Sequence, residues 1–595
     1  MGRVGLPGAG GWAYYRFMPA PPDGNPAASA PLVTSSDLIN ILGVTYVHKK
    51  TADGGDIYLT RYGLSCGELL KIENWYEKAW FEANRVRLIG TSAVYRVPTK
   101  RVQDRSINLV VKYSRVGADV PINTQVLYEF IHAEFNSPWE EFSLVFELRD
   151  NVFGPAALSI HTQRPLAIYV PPEPMQLWQS GRSRERINKI LQRHPGLGLD
   201  ILRQYILVYE WIEGLNVIEA FEAVGCRGTE LDDLLKPATT QVIGDLAAKG
   251  YAVADMKPNH IIIREDSLHR LRRLAAGPDS RGREITLIQD AVKTGEYSVI
   301  DYELLLRTPP HDAEVRKVRR HSYLDDQRDR FKAAPLPAFL RQVEVLGVPL
   351  IHGHTESTGG LLWVVGRNPR LFDYFLPERW RRTPCRALSG RNEVFYTLTK
   401  DNIHLVWKTS RVGEWPAPDT DPRRAARIRE RGFNSPFEVC AIAHQLSAQG
   451  VPTVYLRAIY MTGSEKVEPV ADPRRYAAHR DLLALDGRPA LREDRNYVTI
   501  RGFYNGSDQW VAGQEGVLCQ PVDLRKAAEE SLLPRETCRE LHASTLDRLR
   551  ALRFDGGLLE LNDLLISLDP HGHIVTDAAG RPEVRLCNLE LVHPL

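Results

Sequence analysis

The sequence predicts an α+β protein built from two copies of one unit. Three observations carry this. First, blocks of the chain return in order about 300 residues later: "LGVTYVHKKTADGG" (42–55) as "LGVPLIHGHTESTGG" (346–360), "INLVVKYSRVG" (107–117) as "IHLVWKTSRVG" (403–413), "FNSPWEEFSL" (135–144) as "FNSPFEVCAI" (433–442), and "YSVIDYELL" (297–305) as "VRLCNLELV" (584–592). Matches that keep their order and spacing indicate a duplication. Second, within a copy the β-branched, turn-bounded segments come first and the helical periodicities later. Third, two short strands with acids at their ends sit in the helical half. Strands and helices that segregate in this way give α+β.

The elements follow in order. "RVRLIG" and "VYRVPTK" predict a hairpin turning at Gly90, and "INLVVKYS" a strand with Lys112 among apolar residues. "NSPWEEFSLVFEL" predicts a helix with Ser137 as N-cap and Pro138 in the first turn. Its Ser137-x-x-Glu140 is a capping box. "YILVYEWI" reads as a buried strand. "VIEAFEAV" and "ATTQVIGDLAAKGY" have helical spacing, and "HIIIRE" and "YSVIDYE" read as strands. The stretch "LHRLRRLAAGPDSRGREITLIQD" between them suggests a helix and a strand. His48 and His352 recur at the start of each copy, where a structural hydrogen bond is the default expectation.

A chain of 595 residues is too long for one core. The repeat divides it into a Gly/Pro/Ala-rich leader expected to be disordered (1–35), a first unit (36–312), a charged helical linker (313–340) and a second unit (341–595). A formal net charge of +2 gives no global pull toward nucleic acid or an anionic membrane. No run of about 18 apolar residues marks a membrane span. The seven scattered cysteines lack metal-ligand spacing and fit reduced thiols in a cytoplasmic protein.

The first unit holds the parts that phosphoryl transfer needs: a cation for the phosphates, carboxylates for Mg²⁺ and a group that positions the attacking oxygen. Lys112 supplies the first, and Asp255 and Asp301, at strand ends, supply acids. At these residues the chain resembles the protein-kinase-like superfamily. "NLVVKY" resembles the third strand with its lysine, "YILVYEWIEGLNVIEAF" the last strand and hinge, "DMKPNHIII" the catalytic loop, and "VIDYE" the D-F-G site. D-Y-E is closer to the small-molecule branch, the choline-kinase and aminoglycoside-phosphotransferase relatives.

The resemblance implies two tandem bilobal domains with truncated C-lobes, and ATP and Mg²⁺ as cofactors. It implies that Lys112 holds phosphate, Asp255 orients the acceptor hydroxyl, Lys257 neutralises the transferring group and Asp301 binds the metal. Gly90 lies in the position of the glycine-rich loop, and the backbone of Glu210–Ile212 takes the adenine. Either Glu140 or Glu141 pairs with Lys112. The second metal position, an Asn in the family, is His260 here, with Asn259 one place early, and Val253 stands where the family has His. No room remains for a peptide-binding subdomain. In the second copy Lys408 survives, but Leu558, Glu560 and Asn588 replace Asp255, Lys257 and Asp301, as in a degenerate, pseudokinase-like domain.

The function expected is ATP-dependent phosphotransfer to a hydroxyl of a small molecule or protein. The second copy would regulate the first through intramolecular contact. The alternative is a non-catalytic nucleotide-binding or protein-interaction scaffold.

Overall fold

The computed structural model describes residues 37–88, 93–115, 135–173, 203–277, 280–380, 383, 385–389, 394–418, 420–466, 468–503, 519–577 and 579–595. The leader 1–35 and Gly90 lie outside the described residues. Helices and sheets are both present, as an α+β chain requires.

Strands β1 (Leu38–Ile41), β2 (Val44–Lys50), β3 (Asp56–Leu59), β4 (Val86–Arg87), β5 (Val94–Pro98) and β6 (Asn108–Tyr113) open the first unit. After β7 (His161–Thr162) come β8 (Pro165–Val170) and β9 (Ile206–Glu210). All but β7 form one eight-stranded sheet, ordered β1-β2-β3-β8-β9-β6-β5-β4. The pairs β4–β5 and β5–β6 are antiparallel, so the expected hairpin is present. β8 and, up to its last residue Glu210, β9 are apolar because both their faces are covered. Ile168, Leu207 and Tyr209 pack with Trp139, Phe142 and Val145 on one side. Ala167, Tyr169, Ile206 and Val208 pack with Leu70, Trp75 and Phe81 on the other.

Helices α1 (Arg61–Leu64) and α2 (Lys78–Asn84) flank this sheet. Helix α3 (Pro138–Arg149) starts at the capping box read from the sequence: Ser137 Oγ accepts from Glu140 N–H at 3.2 Å and Glu140 returns to Ser137 N–H at 2.8 Å. Each satisfies a backbone donor that the helix leaves open.

The chain continues through β10 (Gly214–Asn216), α4 (Val217–Ala223), α5 (Gly228–Ala248), β11 (Tyr251–Val253), β12 (Ile261–Arg264), α6 (Glu265–Ala275), α7 (Ser280–Lys293), β13 (Ser298–Val299) and β14 (Leu305–Arg307). A second sheet is ordered β10-β12-β13-β7, and β11 pairs with β14. The segment expected as a helix and a strand is instead two helices, α6 and α7. Ile288, Ala291 and Val292 are buried at helical spacing along α7, which places its apolar residues on one face.

Helix α8 (Pro309–Arg328) crosses to the second unit. There β15 (Arg341–Val345), β16 (Val348–Thr355), β17 (Gly360–Val365), β18 (Cys385–Ala387), β19 (Val394–Leu398), β20 (His404–Thr409), β21 (Leu456–Glu465) and β22 (Arg495–Gly502) form a sheet ordered β15-β16-β17-β21-β22-β20-β19-β18. This is the strand order of the first sheet. The helix Pro436–Ala448 repeats the capping box at Ser435.

Side chains of the two units meet among the described residues. Tyr58 donates to Glu356 Oε2 at 2.6 Å, and Tyr205 and Arg203 donate to the carbonyls of Ser357 and Glu356 at 2.7 and 2.9 Å. Lys400 pairs with Glu140 at the start of α3. On α8, Arg319 is held by Asp401 at 2.9 Å and Asp373 at 2.6 Å, while His311 meets Gly250 O at 3.0 Å. Among the described residues no helix is long and apolar enough to cross a membrane, and all seven cysteines are free thiols.

Candidate functional site

Two hairpin-like pairings gather the first unit's site. Val253 of β11 faces Leu305 of β14, and Ile261 of β12 faces Val299 of β13. The turn after β11, with Asp255, therefore lies against the turn after β13, with Asp301. Lys112 approaches from β6 of the large sheet, and α3 brings Glu141.

Lys112 is 5% exposed. Its ammonium lies 2.9 Å from Asp301 Oδ1, 3.2 Å from Glu141 Oε1 and 3.6 Å from Glu303 Oε2. Burial alone would push its pKa down, but the charges of Asp301, Glu141 and Glu303 outweigh it and the pKa is raised. Asp301 shows the reciprocal effect. Burial opposes ionisation, yet Lys112 and His260 hold its carboxyl down to about 2. Burial raises Glu141, offset in part by Lys112 and by Tyr209, which donates to Glu141 Oε1 at 2.7 Å.

Asp301 is not in a strand, although "YSVIDYE" was expected to be one. Its φ is +66°, a left-handed conformation that Asp adopts more readily than most residues. Distant anchors impose the turn. Asn136 donates through Nδ2 to Tyr302 O at 3.2 Å and Leu305 O at 2.8 Å, and its backbone N–H reaches Glu303 O at 2.9 Å. Gln163 N–H donates to the Tyr302 hydroxyl at 2.8 Å.

Of the two glutamates left open by the sequence, Glu141 meets Lys112. Glu140 turns to its capping box and to Lys400. Asp255 is half-buried and pairs with exposed Lys257 at 2.7 Å. Asn259 and His260 lie on the short turn Pro258–His260. The His260 ring is buried, with Nε2 3.8 Å from Asp301 Oδ2 and Nδ1 without a partner. Burial lowers its pKa, and the charges of Asp301 and Asp255 only partly oppose this. A neutral imidazole thus sits where the family pattern has a metal-binding amide.

The adenine expectation at Glu210–Ile212 narrows. Glu210 N–H donates to Arg164 O and Trp211 N–H to Asn108 O, both at 3.0 Å, so two of the three backbone donors are already used. A cavity of about 410 Å³ is lined by this stretch with Arg149, Arg164 and Arg264. Lys112, Asp255 and Asp301 are not in that lining.

Sequence reasoning missed three residues that complete the site. Glu303 accepts from Arg115 Nε at 3.2 Å, and Arg115 stacks 3.9 Å from the Phe135 ring. Asn136 pins the Asp301 turn. A signal for each lay in the repeat. Arg115 returns as Arg411, Glu303 as Glu590 and Asn136 as Asn434. The second unit builds the same frame from them: Lys408 pairs with Glu590, Arg411 Nε donates to Glu590 at 3.1 Å, and Asn434 Nδ2 donates to Leu589 O at 2.9 Å. Lys408 also donates to Asn588 Oδ1 at 3.1 Å, where the first unit has Asp301. Leu558 and Glu560 stand in the turn where the first unit has Asp255 and Lys257. Neither a protein-family model nor a curated protein matches the chain.

Proposed function

We propose that the first unit is a protein-kinase-like phosphotransferase that moves the γ-phosphoryl group of ATP to a hydroxyl of a small molecule or protein. The second unit is its degenerate regulator or scaffold. The observation that carries this reading is the buried Lys112 ammonium between Asp301 and Glu141, in the unit that keeps Asp255 and Lys257. On nucleotide binding Lys112 would turn from Asp301 to the phosphates while Glu141 keeps it in place. Asp255 would take the acceptor's proton as its oxygen bonds to phosphorus and ADP leaves. Lys257 would offset charge on the transferring group.

The donor set fits one Mg²⁺. Among the described residues no three His, Cys, Asp or Glu side chains are assembled for a metal, but Mg²⁺ commonly takes one or two carboxylates and completes its shell with phosphate oxygens and water. Asp301 is the residue to hold it, with Asn259 as the second oxygen donor. His260, a nitrogen ligand, suits that hard cation poorly. The bound ion would neutralise phosphate charge.

The scaffold reading has its own support. The second unit maintains the same buried Lys–Arg–Glu frame without either acid, so the frame alone does not require chemistry. Coupled detection of ADP release separates the two. Release by the wild type, lost in Asp301→Ala and Lys112→Ala and kept in Lys408→Ala, is the expected pattern. Equal release in all four proteins, or none in the wild type together with no thermal shift at millimolar Mg·ATP, leaves the scaffold.

A further inference from the structure

The second unit inverts the charge of the site it shares with the first. Lys408 faces Thr499 across β20 and β22, as Lys112 faces Leu207 across β6 and β9. Two residues further along the same strand face, Arg501 therefore takes the place of Tyr209. Tyr209 donates to Glu141, but the second unit has Val439 at that helix position, so no carboxylate awaits Arg501 there. In the first unit Lys112 and Arg115 face three acids: Glu141, Asp301 and Glu303. In the second, Lys408, Arg411 and Arg501 face Glu590, with the neutral Asn588 beside it. The next acid, Asp563, accepts from Asn588 Nδ2 at 2.8 Å and from Glu560 N–H at 2.8 Å, and lies 3.6 Å from Arg424.

Two of these cations have buried donors to spare. Arg501 is 5% exposed, and its Nη1 donates to Cys587 O, but its Nη2 is buried without a partner. Arg411 gives its Nε to Glu590, and its Nη2 is likewise buried and unpartnered. Native proteins seldom leave buried donors unpaired, and seldom crowd buried like charges without a counter-ion. The surplus is felt by Lys408, whose pKa burial lowers to about 8, with Arg411 and Arg501 adding to the fall against Glu590. Two guanidiniums and an ammonium gathered around one glutamate suit a ligand with several charged oxygens, which arginine forks recognise well.

We propose that Lys408, Arg411 and Arg501 form a metal-independent site for a phosphate-type oxyanion, either free or as the terminal group of a larger ligand. The inference does not depend on phosphotransfer in the first unit.

Calorimetric titration at fixed ionic strength with EDTA tests it, using inorganic phosphate in one arm and ADP in the other. One saturable site per chain is expected. It weakens at least tenfold in Arg501→Tyr, which installs the first unit's residue, and keeps its affinity in Lys112→Met. Phosphate binding with this pattern identifies the free anion. ADP binding alone with this pattern identifies the end of a larger ligand. Should Arg501→Tyr fail to fold, Arg411→Gln, at a more exposed position, replaces it with the same expectation. The proposal is overturned if neither probe binds, or if binding survives unchanged in the Arg501 or Arg411 variant.

Discussion

Replacing Asp301 by Asn isolates one charge. Asn has nearly the same shape and tolerates the left-handed backbone at φ +66°, so the turn should survive and the loss should be electrostatic. The carboxyl titrates at about 2 in the folded protein against an ordinary 3.8. At about 1.4 kcal/mol per pH unit, that difference stabilises the fold by about 2 kcal/mol near neutral pH. Water reaches the side chain, which is 31% exposed, and this trims the figure toward about 1 kcal/mol. The folded pKa is depressed, so the contribution is complete above the unfolded value and is lost as pH falls toward the folded one. About half should remain near pH 3.

Urea unfolding of wild type and Asp301→Asn near pH 7 and pH 3 reads this directly. Trp75 and Trp139, fully buried in the first unit, report by fluorescence. A variant as stable as wild type near neutrality, or a deficit that does not shrink in acid, would refute the pairing of Asp301 with Lys112 as the source of the shift.

Asn136→Ala should cost about 1–3 kcal/mol in the same titration, because it leaves the carbonyls of Tyr302 and Leu305 buried without their donor. Asn434→Ala should do the same in the second unit. His352 donates from Nδ1 to Leu362 O at 3.0 Å and accepts at Nε2 from Leu485 N–H at 3.1 Å. Burial holds its pKa down at about 4 against an ordinary 6.5. Stability should therefore fall as pH drops through that window, by up to about 3 kcal/mol, and scanning fluorimetry of His352→Gln should show a shallower acid slope. Lys400→Met removes a partly exposed ion pair between the units, so it should cost less than about 1 kcal/mol while speeding amide exchange at the start of α3.

Structure is legible in the sequence where contacts are local. Ser137 and Pro138 announce a helix start through chemistry confined to four residues. Alternation and turn residues announce the β4–β5 hairpin, which leads to the strand that carries Lys112. Structure is not legible where distant residues hold the backbone. Asp301 looked like a strand end, but Asn136 and Gln163, more than a hundred residues away in sequence, fold it into a left-handed turn. The helix expected from Ala238 begins at Gly228 and runs through Pro237. A proline inside a helix costs a hydrogen bond, but Leu231, Leu234 and Leu235, all before it, pack against the core and hold that turn. Spacing alone does not choose between Glu140 and Glu141, because it does not say which face α3 turns toward β6. The cap on one and the lysine on the other decide it.

The repeat supplies its own control for what this site is. Lys112, Arg115 and Glu303 persist as Lys408, Arg411 and Glu590, so the buried lysine belongs to a frame that both units share. What differs is the acid and its backbone. Asp301 stands at φ +66°, whereas Asn588, though tolerant of the same conformation, stands at −118°. Left-handed backbone outside glycine costs free energy and persists where surrounding structure enforces it, often at functional positions. Both units keep the Asn anchor, so the anchor alone does not produce the strain. It coincides with the carboxylate that draws Lys112 across to within 2.9 Å. A purely structural frame would be expected to relax in the first unit as it has in the second. The turn at Asp301, more than the lysine, is therefore what sets the first unit apart from the second.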